Sequence, residues 1–258
     1  MALSWSERRK YTYSGVVIVL LLILAYALYS SLFSAAPTCF DGRENGDEQG
    51  VDCGGSCSLL CEQQSKQPTI AWSRSFLVGS STTNGPANVY TSAAYVQNPN
   101  VGSGAHNVAY SFQLFDADNH LIVERSGVAD IPPVPVVPII VPNINTGSRV
   151  VARTLITFAG LPAWNLITAG SIPRIELSNQ QLTSDGSRLS LTLNNNTTTD
   201  AKNITVVGVL FDADGAALAA SKSLVPVLAH KSTQDVVLTW QGGVPGVVRA
   251  EVTVLPSF

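Results

Sequence analysis

The most constraining feature of the chain is an uncharged apolar run near its amino end. No charged residue lies between Lys10 and Asp41, and Val16–Leu28 reads VVIVLLLILAYAL. At ~1.5 Å per residue, about twenty such residues cross the ~30 Å hydrocarbon layer of a membrane as one helix, so residues 13–33 are expected to span it. Arg8, Arg9 and Lys10 precede the run and no further basic residue appears before Arg43. The positive-inside bias therefore puts residues 1–12 in the cytoplasm and everything beyond the helix outside the cell membrane, in a single pass. The rival reading is a cleaved signal peptide with Ser34, Ala35 and Ala36 as its processing region. A signal's apolar core is only ~7–15 residues long, whereas this span is longer and carries Tyr26 and Tyr29 near its outer end, where an aromatic belt sits. Ala36-Pro37-Thr38 is a poor context for lipidation of Cys39.

Exported, the remainder must fold in an oxidising compartment. All four cysteines, Cys39, Cys53, Cys57 and Cys61, fall within one short stretch, and two disulfides are the natural expectation. Their spacing leaves all three pairings open. Only 13% of the residues are charged, while Val, Thr, Ser, Asn, Gly and Pro abound, which suits short strands joined by turns and predicts an all-β fold. With 15 basic residues against 18 acidic ones, three of the basic ones in the tail, the exported surface is mildly acidic. Nucleic acid and anionic lipid are excluded as partners on that ground.

Residues 34–67 read as a cysteine-rich stalk. Asp41, Asn45, Asp47, Glu48 and Asp52 crowd hard oxygen atoms into a dozen positions, and intervening glycines permit turns sharp enough to wrap Ca²⁺. The spacing is not that of an EF-hand loop. Zinc would need thiolates outside the cell and paired C-x2-C knuckles, which the C-x13-C-x3-C-x3-C spacing lacks. The plainer expectation is a disulfide-pinned spacer. Its pattern, C-x-D-G-x-x-N-G-x-E-x-G-x-D-C-G-G-x-C-x-x-x-C, resembles a module of prokaryotic cell-surface proteins, a resemblance that brings no chemistry with it.

Beyond a polar linker the sequence repeats itself. Asn107-Val-Ala-Tyr-Ser-Phe-Gln-Leu-Phe-Asp-Ala-Asp118 returns as Asn203-Ile-Thr-Val-Val-Gly-Val-Leu-Phe-Asp-Ala-Asp214, at a constant spacing of 96. That is the size of a small sandwich, so two tandem β-sandwiches are expected, at 68–177 and 178–258. In each, a strand (Val89–Gln97; Arg188–Leu193) leads through an Asn-rich loop, with Asn98 matching Asn194, to a second strand (Val108–Phe115; Ile204–Phe211). The Asp-Ala-Asp turn follows, then a hairpin partner (Leu121–Arg125; Ala217–Ser221). Arg153–Phe158 is matched to Val236–Trp240, and Arg174-Ile-Glu to Arg249-Ala-Glu, which places the first boundary near Leu177. With almost no linker, a rigid rod is expected. Phe112-Gln-Leu-Phe-Asp116 resembles the motif of the FxLYD domain, a bacterial extracytoplasmic β-sandwich related in architecture to water-stress proteins. Copy one departs from it with Phe115 in place of Tyr, and copy two departs further with Gly208 for the first Phe and Phe211 for Tyr. The resemblance implies an immunoglobulin-like sandwich and no catalytic residues.

Copy one also carries Ile131, Pro132, Pro133, Val134, Pro135, Val136, Val137, Pro138, Ile139, Ile140, Val141 and Pro142, which reads as an extra segment. Five prolines there remove backbone donors, leaving an edge strand or an extended arm. The arm either covers its own sheets or docks another protein. Asn195, Asn196 and Asn203 begin N-x-[ST] sequons. The three histidines fall in turns or loops without metal spacing, and the paired Asp116/Asp118 and Asp212/Asp214 suit turn capping. No enzyme is expected. The chain so read acts through contacts with a surface or envelope protein, structurally or adhesively; the competing reading is a Ca²⁺- or ligand-binding receptor-like module.

Overall fold

The computed structural model describes residues 5–33, 38–81, 87–168 and 170–258; the stretch at 34–36 lies outside them. The chain divides into two compact units, Met1–Cys57 and Ser58–Phe258. The first holds α1 (Trp5–Phe33), about 43 Å long at the ordinary rise per residue. Its span Glu7–Ser30 is long and apolar enough to cross a membrane, and none of it is buried within the protein. A helix apolar on every side has no solvent-facing stripe, unlike the surface helix of a globular domain.

The second unit is built of strands: β1 (Thr69–Ser81), β2 (Ala87–Gln97), β3 (Ser103–Phe115), β4 (Leu121–Ile131), β5 (Val136–Asn145), β6 (Arg153–Phe158), β7 (Asn165–Leu166), β8 (Ile175–Leu182), β9 (Arg188–Asn195), β10 (Ala201–Phe211), β11 (Ala217–Leu228), β12 (Ser232–Thr239) and β13 (Arg249–Leu255). They form four sheets, ordered β1-β2-β5, β4-β3-β6, β12-β9-β8 and β11-β10-β13, with β7 added to β3. The first two sheets enclose a core around Phe112, Leu114, Ile144 and Trp164. The other two enclose one around Leu191, Leu193, Leu210 and Trp240. These are the two sandwiches.

They do not follow one another as a rod. A third apolar cluster, with Phe76, Ala93, Tyr95 and Ile140 on one side and Val207, Val209, Phe211 and Ala220 on the other, seals the outer face of β1-β2-β5 against that of β11-β10-β13. The result is four stacked layers. Burial reports it directly: β2 is buried without interruption from Tyr90 to Val96, and β10 from Val206 to Phe211, whereas β9 alternates residue by residue. A strand covered on both faces has no place for polar side chains.

Pairing also corrects the internal alignment. β8 joins β9, so the second sandwich begins at Ile175 and takes in residues assigned to the first. β6 and β13 both pair with the strand that runs into the Asp-Ala-Asp turn, which makes Arg153 the counterpart of Arg249 at the same spacing of 96. Each guanidinium lies over the matching phenylalanine ring, Arg153 over Phe115 at 4.9 Å and Arg249 over Phe211 at 4.4 Å. The proline-rich run is not an insertion. It continues into β5, an edge strand beside β2 that occupies the place β12 holds beside β9.

Candidate functional site

Within the first unit, Cys39 bonds Cys57 with their Cα atoms 5.5 Å apart. Cys53 and Cys61 are oxidised as well, and no described cysteine is free to serve as a thiolate ligand. The five oxygen-bearing residues between them hold turns. Asp52 Oδ1 accepts the backbone N–H of Asp41 at 2.9 Å and of Gly42 at 3.1 Å. Asp41 Oδ1 accepts the Arg43 N–H at 2.9 Å, and its Oδ2 accepts Asn45 Nδ2 at 2.8 Å. That Asn45 bond holds the Asp41 carboxyl below its ordinary pKa. Glu48 Oε2 accepts the Asn45 N–H at 3.0 Å, and Asp47 Oδ1 the Ser56 hydroxyl at 2.7 Å. Charge-assisted bonds of this kind shape a loop that has almost no core. Gly55 is obligatory: at φ +59°, an added Cβ would lie 2.0 Å from the Asp47 carbonyl oxygen. Asp41, Asp47, Glu48 and Asp52 do not converge on one point. Among the described residues, potential ligands gather only as Cys39–Glu48–Cys57, two of which share a disulfide, and as Asp116–Asp118–His120.

The chain leaving the staples is fastened to the first sandwich. Leu60 N–H donates to the Trp164 carbonyl at 2.8 Å and Leu166 N–H to that of Ser58 at 2.7 Å, adding residues 58–60 to β7 as a further short strand. Trp164 is fully buried and Leu60 packs on the same core. Asn100, itself buried, donates to the Lys66 carbonyl at 2.8 Å and accepts the Lys66 N–H at 2.9 Å. What the sequence presents as a polar linker is, from residue 58 to residue 66, part of the fold.

Two devices recur at the copy spacing. Asp116 Oδ1 accepts the N–H groups of Asp118 and His120 at 3.1 and 2.8 Å; Asp212 Oδ1 accepts those of Asp214 and Ala216 at 3.0 and 2.8 Å. Turn capping is thus their role. In copy one the other Asp116 oxygen also pairs with Arg149, which lowers its pKa, so a cation at Asp116–Asp118–His120 would have to displace a guanidinium. The second device is an asparagine latch. Asn98 Nδ2 donates to the carbonyls of Ser103 at 2.8 Å and Pro132 at 3.1 Å, and Asn195 Nδ2 to those of Thr199 at 2.9 Å and Leu228 at 3.1 Å. The structural counterpart of Asn98 is therefore Asn195, one residue beyond the sequence match.

That latch corrects the glycosylation expectation at Asn195, whose side chain is 0% exposed with both amide hydrogens engaged. Asn196 is exposed and donates to Glu176 Oε2 at 2.9 Å. Asn203 is exposed at φ 47°, at the position Asn107 holds in copy one at φ 52°. The docking-arm expectation meets a similar correction. Ile131, Pro132, Val137, Pro138, Ile139 and Ile140 are buried, Ile131 through the first core and Ile140 in the joint between sandwiches, while Pro133, Val134, Val136 and Val141 are half-buried and only Pro135 and Pro142 are exposed.

The joint itself went unseen in the sequence. Trp72 stacks on Tyr95 at 4.6 Å, and Tyr95 meets Phe211 edge-on at 6.5 Å. The Tyr95 hydroxyl donates to Glu251 Oε1 at 3.1 Å, and Arg249 Nη1 to Glu251 Oε2 at 3.0 Å. Burial, then the neighbouring Glu251 charge, pushes the Tyr95 phenol well above its ordinary pKa, so it stays a donor. Arg74 Nη1 reaches the Ala217 carbonyl at 3.1 Å, and Lys222 Nζ the Ile140 carbonyl at 2.9 Å, both across the joint. The signal was there: VVGVLF at 206–211 has no polar side chain where YSFQLF at 110–115 alternates.

No family model matches the chain, and no curated protein matches it by sequence. Among solved structures, red sea bream transglutaminase is similar at 12% identity and a TM-score of 0.21, over 78% of this chain and 29% of that one. The chain thus spans less than a third of that protein, and so loose a likeness carries no argument about fold or activity.

Proposed function

We propose that this chain is a single-pass, N-in membrane protein that holds a rigid pair of FxLYD-like sandwiches at the outer surface and acts through protein contacts, in envelope structure, adhesion or assembly, and not as an enzyme. The observation that carries the reading is the fastening of residues 58–66. From residue 58 onward the chain is bonded into the first sandwich, so the pair of sandwiches begins directly after the cysteine-rich segment and not after a loose linker. The two outward sheet faces, unpartnered among the described residues, are the surfaces offered to a partner. Ser111, Gln113 and Thr157 mark one, Ser190, Thr192 and Asn194 the other.

The test has two parts. Alkaline carbonate should leave the chain in the membrane pellet, with a carboxy-terminal tag open to added protease on intact cells and an amino-terminal tag protected. Photo-crosslinkers at Gln113 and at Thr192 should capture an envelope protein from at least one position. A carbonate-soluble chain, a protected carboxy terminus, or silence at both positions would each contradict the reading.

A further inference from the structure

Where the two sandwiches meet, edge strands β5 and β11 face each other and the joint opens into a cleft of about 500 Å³ on the side of β1 and the 240–245 loop. Its walls come from both sandwiches: Phe76 and Leu77 from one, Trp240 and Val244 from the other. Lys222 is the only charged residue among the described residues that line it. A half-buried lysine ordinarily has a carboxylate to answer it. Among the described residues no ion pair involves Lys222, and its one hydrogen bond there, to the Ile140 carbonyl at 2.9 Å, leaves two of three ammonium hydrogens unengaged. Partial burial, with no carboxylate to oppose it, lowers the Lys222 pKa. Trp240, only 6% exposed, borders the same cleft, and its indole Nε1 has no acceptor among the described residues.

We infer that this cleft is a binding site for a small amphipathic carboxylate, its anionic end on Lys222 and its apolar body between Phe76 and Leu77 on one wall and Trp240 and Val244 on the other. Clefts of this size, set between two domains and lined by apolar side chains beside a few placed polar groups, here Thr91, Ser221 and Lys222, are where small ligands bind. A ligand there touches both sandwiches and adds to the joint that fixes them. The inference stands apart from the proposed surface role, since it needs neither an envelope partner nor the membrane orientation.

The probe is 3-phenylpropanoate, titrated calorimetrically into the full chain in neutral detergent against a micelle-only blank. A fragment of its size is expected to bind one-to-one with millimolar affinity. Its neutral counterpart 3-phenylpropanol should bind about tenfold more weakly, Lys222→Gln should weaken 3-phenylpropanoate about tenfold, and Lys222→Arg should restore it. Leu77→Glu, at an exposed rim position that leaves the fold intact, should weaken it about fivefold by repulsion. Absence of saturable binding, equal affinity of acid and alcohol, or full affinity in Lys222→Gln would overturn the inference.

Discussion

The two sandwiches are copies of one plan, and they differ where it matters for assembly. On the strand that runs into the Asp-Ala-Asp turn, copy one points Ser111 and Gln113 outward, and copy two, at the same spacing, points Val207 and Val209. Only the second pair is buried in the joint. On the strand before the asparagine latch, copy one carries Ala93 and Tyr95 in the joint, while copy two carries Ser190 and Thr192 in the same places. The joint therefore unites unlike faces of like domains. Repetition of a head-to-tail contact builds an open stack unless something ends it. Here the central strands of the would-be next faces carry polar residues at both ends, Ser111 and Gln113 on one and Ser190 and Thr192 on the other, so the stack stops at two.

The comparison breaks most severely if copy two is given copy one's face. Val207→Ser with Val209→Gln removes buried apolar area and places unpaired polar groups in the joint, at about 5 kcal/mol in all. The single thermal transition should then split in two, with the fluorescence of Trp72, at the joint, changing at the lower one. Gln113→Val with Ser111→Val, the reverse exchange on the free face, should leave the melting temperature nearly unchanged and promote self-association on size-exclusion chromatography.

The cores sharpen it next. Copy one has Phe112 where copy two has Gly208, and a Cβ at Gly208 would lie 2.6 Å from Leu238 Cδ1 and 3.4 Å from the Trp240 ring. Trp240 fills the missing volume, from the position that Ile144 holds opposite Tyr90 in copy one. Gly208→Phe alone should cost about 3 kcal/mol by overpacking. Adding Trp240→Ile should recover most of that loss in denaturant melts, a coupling that independent sites would not give.

Smaller effects follow at the latches and the turns. Asn195→Ala removes the side-chain donor to the Leu228 carbonyl and one of two donors to that of Thr199, emptying a fully buried site, and should cost about 2 kcal/mol, with Asn98→Ala costing less because Asn98 is only partly buried. At the turns, Asp116 has its pKa lowered by Arg149, so its contribution to stability is complete above the ordinary carboxylate value of 3.8 and is lost as pH falls through the lowered value. Arg149→Ala should raise the Asp116 pKa toward 3.8 in an NMR titration and make the loss begin at higher pH.

Much of this was legible beforehand. The apolar helix, the all-β class, the duplication and the capping role of Asp116 and Asp212 each rest on local pattern: an uncharged run, period-two alternation, a turn tetrapeptide. What escaped rests on contacts between distant residues. β5 looked like an insertion because its prolines masked a strand whose register runs across Pro138 on an edge. The match of Arg174 to Arg249 followed letters, where only pairing reveals Arg153 as the counterpart. The latch at Asn195 slipped by one residue because a loop absorbed the difference. The oxygens of the cysteine-rich loop suggested a cation by composition; the bonds that Asp41, Asp47, Glu48 and Asp52 accept from amides or a hydroxyl could be read only in the folded loop.

The claim beneath all of this is that two copies behave as one body because unlike faces are fused in the joint. Scanning calorimetry of the intact chain reads it directly. The fused pair predicts one unfolding transition whose calorimetric and van't Hoff enthalpies agree. Two transitions that resolve in the wild-type chain, each with half of the heat, would mean that the sandwiches melt independently and would contradict it.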